Sequence, residues 1–466
     1  MTKTLVMKFG GTSVGSAAAI RNLIEIVRAA RADWPRVAVV VSAMGGVTDA
    51  LLRSAHAAEN GDATSAATTV EMLRDKHLTA LRELAPQAAH VEKHIAESLA
   101  EFTALCHAMN VLGEASPRAL DAISSLGERM SAPLVAAVLT AAGLPSEAID
   151  SAEVVVTDSV HQSATPDMEA TRANAERLVA PLLARGVVPV ITGFIGATKA
   201  GVTTTLGRGG SDFSAAIFGV ALAASEVWIW TDVPGVMTAD PRVAKDARTL
   251  PALTFREISE LAFYGAKVLH PKTIRPVIER GIALWVKNTF QPDHPGTQII
   301  PDERNGVHGS IRSVTAFKGQ SIITLEGRGM LGIPGIAART FGAVARTRTS
   351  VSMISQASSE QSICFVVPLT TAPAVKHALE EEFRLELGRD DIDSISVSDE
   401  CAVVTVVGAG MRHTPGIAGK IFGALGAAGV NVVVIAQGSS ECSISLTVEA
   451  AQADEAVRAI HRLIVE

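Results

Sequence analysis

The chain has 466 residues, a formal net charge of −7, 48% hydrophobic and 19% charged residues, and only 4% aromatics. That length calls for roughly three domains, the acidic balance excludes a general nucleic-acid surface, and the most apolar helical stretch, about 134–142, is too short to cross a bilayer. Cys106, Cys364, Cys401 and Cys442 are scattered without a C-x-x-C pair, pointing to thiols in a reducing cytoplasm rather than disulfides or zinc, and Met1 to Thr4 run straight into a strand, so no signal peptide is expected.

Leu5-Val6-Met7 reads as a short buried strand, and Ile20, Leu23, Ile24 and Val27 recur at helical spacing. Between them lies Lys8-Phe9-Gly10-Gly11-Thr12-Ser13-Val14-Gly15. Adjacent glycines let backbone N–H groups converge on one point, and a helix start adds partial positive charge there. A lysine entering such a loop is a mobile cation for phosphate oxygens; a tight turn with a solvated lysine is the plainer alternative. The G-x-x-x-x-G-K-[ST] phosphate loop occurs nowhere in the chain.

Residues 37–41 are a β-branched run typical of a strand buried on both faces of a parallel sheet. It ends in Ser42-Ala43-Met44-Gly45-Gly46-Val47-Thr48, another loop feeding a helix. From about 50 to 112 the pattern is almost wholly helical, and a helix over 120–142 carries Gly127-Glu128-Arg129. Strands are expected at 187–191, 227–230 and 283–286, with helices at 211–223, 255–264 and 271–280. This alternation means a mostly parallel sheet between helical layers, whose ligands bind beyond the carboxyl ends of the strands. Pro292, Pro295, Gly296 and Pro301 mark a domain boundary near residue 300.

The remainder holds a repeat. Gly327-Arg328-Gly329-Met330 recurs as Gly408-Ala409-Gly410-Met411, Pro334-Gly335-Ile336-Ala337 as Pro415-Gly416-Ile417-Ala418, and Gln356-Ala357-Ser358-Ser359-Glu360 as Gln437-Gly438-Ser439-Ser440-Glu441, all at one constant offset. Each copy reads strand, glycine loop, helix, strand, turn, strand, helix, strand. The literal G-x-G-x-x-G at Gly327 to Gly332 is not a dinucleotide fingerprint, because His413 stands at the third glycine of the second copy and the unit is too compact.

Three further stretches carry chemistry. Leu206-Gly207-Arg208-Gly209-Gly210-Ser211-Asp212 offers a guanidinium fork for a carboxylate or phosphate; a helix N-cap explains Ser211-Asp212 but not the three glycines with an arginine. Thr231-Asp232-Val233-Pro234-Gly235-Val236-Met237 through Arg242 supplies hydroxyl, carboxylate and guanidinium groups. Gly265-Ala266-Lys267-Val268-Leu269-His270-Pro271 adds a second lysine, with His270 read as a capping or packing residue.

These motifs with the Lys8 loop, in this order, resemble the aspartate kinase family over essentially the whole chain. The resemblance implies an amino-acid kinase fold over 1–297, followed by two ACT-like βαββαβ modules at 313–395 and 396–466. It implies ATP-dependent phosphorylation of the β-carboxylate of L-aspartate to 4-phospho-L-aspartate, with Mg²⁺ held largely by phosphates and water. By the same resemblance, Lys8 and the Gly10 and Gly11 amides hold the transferring phosphoryl group and Lys267 neutralises nucleotide phosphates. Arg208 takes the α-carboxylate of aspartate and Glu128 its α-ammonium, with Ser42, Thr48 and Ser211 in the substrate pocket. Asp212 orients Lys8 and the substrate, while Thr231, Asp232, Met237 and Arg242 face the nucleotide, Met237 standing where the family usually has tyrosine. Gln356 and Gln437, each taken to follow a buried strand, match the effector positions of threonine-sensitive members, so L-threonine is the expected inhibitor. A homodimer or larger homo-oligomer through the modules is expected, in the cytoplasm, with neither nucleic acid nor membrane as partner. The chain stops at Glu466, so no homoserine dehydrogenase activity is expected. The competing readings are another carboxylate kinase of the same fold, acting on glutamate or N-acetylglutamate, and a catalytically inactive amino-acid sensor.

Overall fold

The computed structural model describes residues 3–62, 64–263, 269, 271–301, 311–357, 359–411, 413–438 and 442–465. The chain divides into two compact units: Met1–Val236 with Pro251–Phe255 and Val268–Pro301, and Met237–Leu250 with Arg256–Lys267 and Asp302–Glu466.

The first unit is built on an eight-stranded sheet. Its order is Ser146–Ile149, Val188–Thr192, Arg36–Val41, Thr4–Phe9, Glu226–Thr231, Ala283–Asn288, Thr297–Ile300, Ala252–Thr254. Neighbours are parallel except Ala283–Asn288 with Thr297–Ile300. Every residue of Thr4–Phe9 is buried, as a central strand covered on both faces requires. Leu5, Met7 and Phe9 alternate into a core with Val37, Val39, Val41 and the helix Ala17–Asp33. The helical tract resolves into Val47–Glu59, Ser65–Leu84 and Ala89–Leu112, which pack with Pro117–Ala141 into that same core. The breaks fall at Asn60-Gly61-Asp62, where the Asp62 carboxylate accepts from the Thr64 and Ser65 amides, and at Ala85 to Ala88, while Gly113, at φ 64°, ends the third helix in a left-handed cap. A small sheet of Val156–Thr157, Ile195–Thr198 and Thr203–Thr205 escaped the sequence reading, because two- to four-residue strands carry too little periodicity.

The second unit holds a seven-stranded sheet in the order Met353–Gln356, Ser362–Pro368, Ser313–Glu326, Cys401–Val407, Ser443–Glu449, Val434–Gln437, with Ser394–Val397 also on Ser313–Glu326. The helices Ile336–Arg346, Ala372–Glu382, Ile417–Ala427 and Ala453–Val465 complete the two copies. One expectation changes: the second copy ends in its helix rather than in a strand of its own. The fully buried strand Cys401–Val407 needs a partner on each edge. Residues 313–317 supply one, pairing antiparallel with it, while 320–326 pair with Ser362–Pro368. A register shift between Phe317 and Gln320 lets one long strand serve both copies.

Two pieces of sequence ahead of residue 300 also belong to this second unit. Ala239 and Ala244 pack with Ile417, Ile421 and Val457, and the Thr238 hydroxyl lies 2.8 Å from Nε2 of the buried His461. The Ala409 amide donates to Glu257 at 2.8 Å. No helix among the described residues is long and apolar enough to cross a membrane.

Candidate active site

The carboxyl ends of the central strands converge on one cavity of about 670 Å³ in the first unit. At the end of Thr4–Phe9 the chain turns sharply: the Gly10 amide donates to the Trp230 carbonyl at 3.1 Å, and the Ser13 amide returns to Gly10 at 2.9 Å. The buried Ser13 hydroxyl ties this turn to Thr289 at 2.6 Å. The neighbouring loop is zipped to it, the Gly45 amide donating to Gly11 at 2.9 Å. Gly127 is a steric requirement, since a Cβ there would lie 2.7 Å from that of Ala43. Substituting Gly127 would push the whole Ser42 loop away from the helix that carries Glu128.

Both anion-facing helices begin the same way. Val47–Glu59 follows Gly46 at φ 80° and Gly210–Ala221 follows Gly209 at φ 72°, each without a side-chain cap. Glycine occupies each N-cap position and leaves the first-turn N–H groups without a side-chain acceptor, and Thr48, Ser211 and Asp212 of those first turns line the cavity. The plainer N-cap account of Ser211-Asp212 therefore fails. Two helix N-termini also make the cavity receptive to anions.

Lys8, 9% exposed, points its amine at Asp212, with Nζ 2.6 Å from Oδ1. Arg208 is exposed at the rim and makes no ion pair or hydrogen bond among the described residues. Glu128 is 3% exposed, and its Oε2 has no hydrogen-bond partner. Burial pushes this carboxyl up to about 8, against the opposing pull of the Ala43 amide and the Lys8 charge. The adjacent Arg129 does not answer it. Its guanidinium reaches Asp150 at 2.8 Å, Ser125 and Thr203 instead. One oxygen of this buried carboxyl thus lacks a hydrogen-bond partner in a cavity whose lining also presents Lys8 and Arg208.

Of the residues singled out from sequence, Lys8, Gly11, Ser42, Thr48, Glu128, Arg208, Ser211 and Asp212 line this cavity. Gly10 adjoins it, a Cβ there lying 3.6 Å from Lys8 Nζ. Thr231 and Asp232 sit at the end of the neighbouring strand, hydroxyl to carboxylate at 3.2 Å. Met237 and Arg242 belong to the second unit, where Arg242 forks onto Asp240. Lys267 and His270 lie outside the described residues. Sequence reasoning missed Asp121 and Gln162 in the lining, and Lys76, whose amine donates to the Gly45 carbonyl at 2.7 Å. Asp121 lies two helical turns before Glu128, a spacing that places both on one face and was the available signal.

In the second unit, Gln356 and Gln437 are the last residues of Met353–Gln356 and Val434–Gln437. Those strands alternate exposed with more buried residues, contrary to the expectation of buried strands, and both glutamines are exposed. Gln437 lines a second cavity, of about 400 Å³, with Met411, Thr414, Ile417 and Ile444. Ser358, Ser439, Ser440 and Glu441 lie outside the described residues.

Residues 3–288 match the amino acid kinase family, and 323–383 and 404–463 each match the ACT domain. A bifunctional aspartokinase/homoserine dehydrogenase 1 of Zea mays is 36% identical over 98% of this chain, which spans 50% of that protein. The chain thus covers about half the length of such bifunctional relatives. Aspartokinase 1 of Arabidopsis thaliana is 33% identical over 99% of this chain and 80% of its own length. The structure of E. coli aspartokinase III in complex with aspartate and ADP (R-state) superposes over 100% of both chains, with a TM-score of 0.83 and 30% identity. The same enzyme with lysine and aspartate (T-state) gives 0.79 at 30% identity, over 99% of this chain and 100% of that one. With its amino acid kinase fold and following ACT domains, the chain belongs to the aspartokinase family.

Proposed function

We propose that the protein transfers the γ-phosphoryl group of ATP to the β-carboxylate of L-aspartate, giving 4-phospho-L-aspartate. The observation that carries this reading is the buried Glu128, one oxygen of which has no hydrogen-bond partner, in a cavity that also presents Lys8 and Arg208. Arg208 takes the α-carboxylate and Glu128 the α-ammonium, which leaves the β-carboxylate towards Lys8 and the Gly10–Gly11 turn. Ser42, Thr48 and Ser211 line the pocket, Asp212 orients Lys8, and Thr231, Asp232, Met237 and Arg242 are assigned to the nucleotide side. Lys267 is assigned to the nucleotide phosphates by its motif. A carboxylate is already an anion, so the transfer needs charge neutralisation and in-line placement rather than a strong base. Mg²⁺ belongs to this reading as an ion entering with the nucleotide. On this reading phosphates and water supply most of its ligands.

ADP release over a panel of amino acids tests the proposal. Glutamate, one methylene longer, should turn over about 10–200-fold less efficiently than aspartate. N-acetylglutamate, which leaves Glu128 without its ammonium, should be worse by about 10⁴-fold or more. Equal use of acylated and free amines would favour another carboxylate kinase. No turnover with any acid would favour an amino-acid sensor, a reading that the presence of Lys8, Arg208 and Asp212 together opposes.

The ACT pair supports feedback control, and we assign L-threonine as effector at the paired Gln356 and Gln437. An effector shifts such an equilibrium by its difference in affinity for two states, typically about 1–3 kcal/mol. Gln356→Ala and Gln437→Ala should weaken threonine inhibition and spare uninhibited turnover. Titration with threonine and, separately, with lysine decides the matter, inhibition by lysine alone refuting the assignment. Assembly as a homodimer or larger through these modules goes with the same reading.

A further inference from the structure

Asp121 is fully buried in the helix Pro117–Ala141, and its carboxylate is saturated by donors from two other segments. Oδ1 accepts from the Thr205 hydroxyl at 2.5 Å and from the Gln162 amide at 3.1 Å. Oδ2 accepts from His161 Nδ1 at 2.6 Å and from the same amide at 3.2 Å. Thr205 ends the strand that leads into Gly207-Arg208, and His161 and Gln162 lie on the 158–165 loop.

That loop is rigid in itself. Asp158 accepts from the Val160 and Thr165 amides, each at 3.1 Å, and its own amide donates to the Thr165 carbonyl at 3.0 Å. Ala164 donates to the Thr205 carbonyl at 3.0 Å, which ties the loop to the same strand. Gln162 has φ 66°, a left-handed conformation that a residue with a Cβ adopts only when its surroundings enforce it. The bond from its amide to Asp121 is such an enforcement. The consequence lies one step further on. A Cβ on Gly207, itself at φ 78°, would sit 2.8 Å from the Gln162 carbonyl, so the loop bears directly on the residue before Arg208.

We propose that Asp121 is a positioning residue for substrate binding: it clasps the 158–165 loop to the end of Thr203–Thr205 and so holds the backbone from which Arg208 reaches the substrate carboxylate. Any buried carboxylate needs donors, but these come from the 158–165 loop and from the strand end that leads into Arg208, so the bonds that satisfy Asp121 also tie those two segments together. The inference rests on the reading of Arg208 given above. It predicts a selective effect, because the clasp lies on the Arg208 side and does not touch Lys8 or Asp212.

The test is steady-state kinetics of D121N, T205V, T205S and R208A on the full chain, with folding checked by circular dichroism. D121N keeps the shape but replaces one acceptor oxygen by an amide donor facing other donors. It should raise KM for aspartate about tenfold or more, with KM for ATP within twofold and kcat within a few-fold. T205V should do the same, T205S should restore most of the affinity, and the D121N/T205V pair should be less than additive because both cut one bond. If D121N does not fold, the contrast between T205V and T205S decides. Unchanged aspartate KM in folded D121N and T205V, with R208A raising it, overturns the clasp. So does an equal loss on both substrates, the mark of a structural role. An R208A variant with unchanged aspartate KM overturns the reading of Arg208 and this inference with it.

Discussion

Replacing Lys8 with alanine is expected to lower kcat at least a hundredfold and leave the fold intact. Lys8 is the fifth residue of a fully buried strand, so its backbone is held by parallel neighbours on both sides, Val40 and Ile229. Its amine is the cation at the glycine turn, fixed 2.6 Å from Asp212. A fixed cation where charge develops contributes about 3 kcal/mol to the barrier, which is a factor of a hundred or more in rate. The stability effect should be much smaller, because the Asp212 left behind is in the first turn of a helix, where the helix dipole favours a carboxylate. Lys8→Arg should not rescue turnover, since a planar fork cannot take the place of a compact ammonium in the same turn. Single-turnover kinetics with a thermal melt alongside make the check. A kcat within a few-fold of the parent would sink the assignment, and a collapsed melt would move Lys8 from the chemistry to the core.

What could be read in the chain and what could not divides on distance along it. The Lys8 turn, the Ser42 loop and the Arg208 stretch were legible because each is local: strand, glycine and helix start lie within a dozen residues. That one oxygen of the buried Glu128 lacks a partner was not legible, because sequence does not show that Arg129 beside it turns to Asp150. Asp121 was passed over for a similar reason. Its three partner residues sit about 40 and 84 positions away, and nothing near it in sequence marks a clasp. Lys76 reaches Gly45 from a helical tract whose periodicity reports only its buried face. The repeat announced two modules, but not that residues 313–317 would close the second, because strand sharing is settled by which buried edge lacks a partner.

Changing Glu128 to glutamine should separate binding from stability, moving the two in opposite directions. The carboxyl is held up to about 8, so at neutral pH the free protein carries it mostly protonated. An ammonium partner needs the carboxylate, and binding aspartate must therefore expel that proton. Below about pH 8 the parent's kcat/KM for aspartate should rise roughly tenfold per pH unit and flatten above it, while kcat/KM for ATP follows no such slope. Glu128→Gln should remove the slope and raise KM for aspartate by a hundredfold or so at pH 8, as expected when a charge-assisted hydrogen bond in a buried site is lost. The stability sign runs the other way. A carboxyl whose pKa is higher in the folded than in the unfolded chain binds more protons when folded between about 4.5 and 8, so it lowers stability steadily as pH climbs through that window. Glutamine carries no such cost, and the variant should melt higher than the parent at pH 8 to 9 and converge with it towards pH 4.5. A buried group that weakens the fold at working pH and strengthens ligand binding is under functional rather than structural demand. Titration by calorimetry in buffers of different ionisation enthalpy counts the proton directly. Release of about one proton per aspartate bound at pH 7, absent in Glu128→Gln, is the expected result; aspartate binding without proton release would remove Glu128 from the ammonium site.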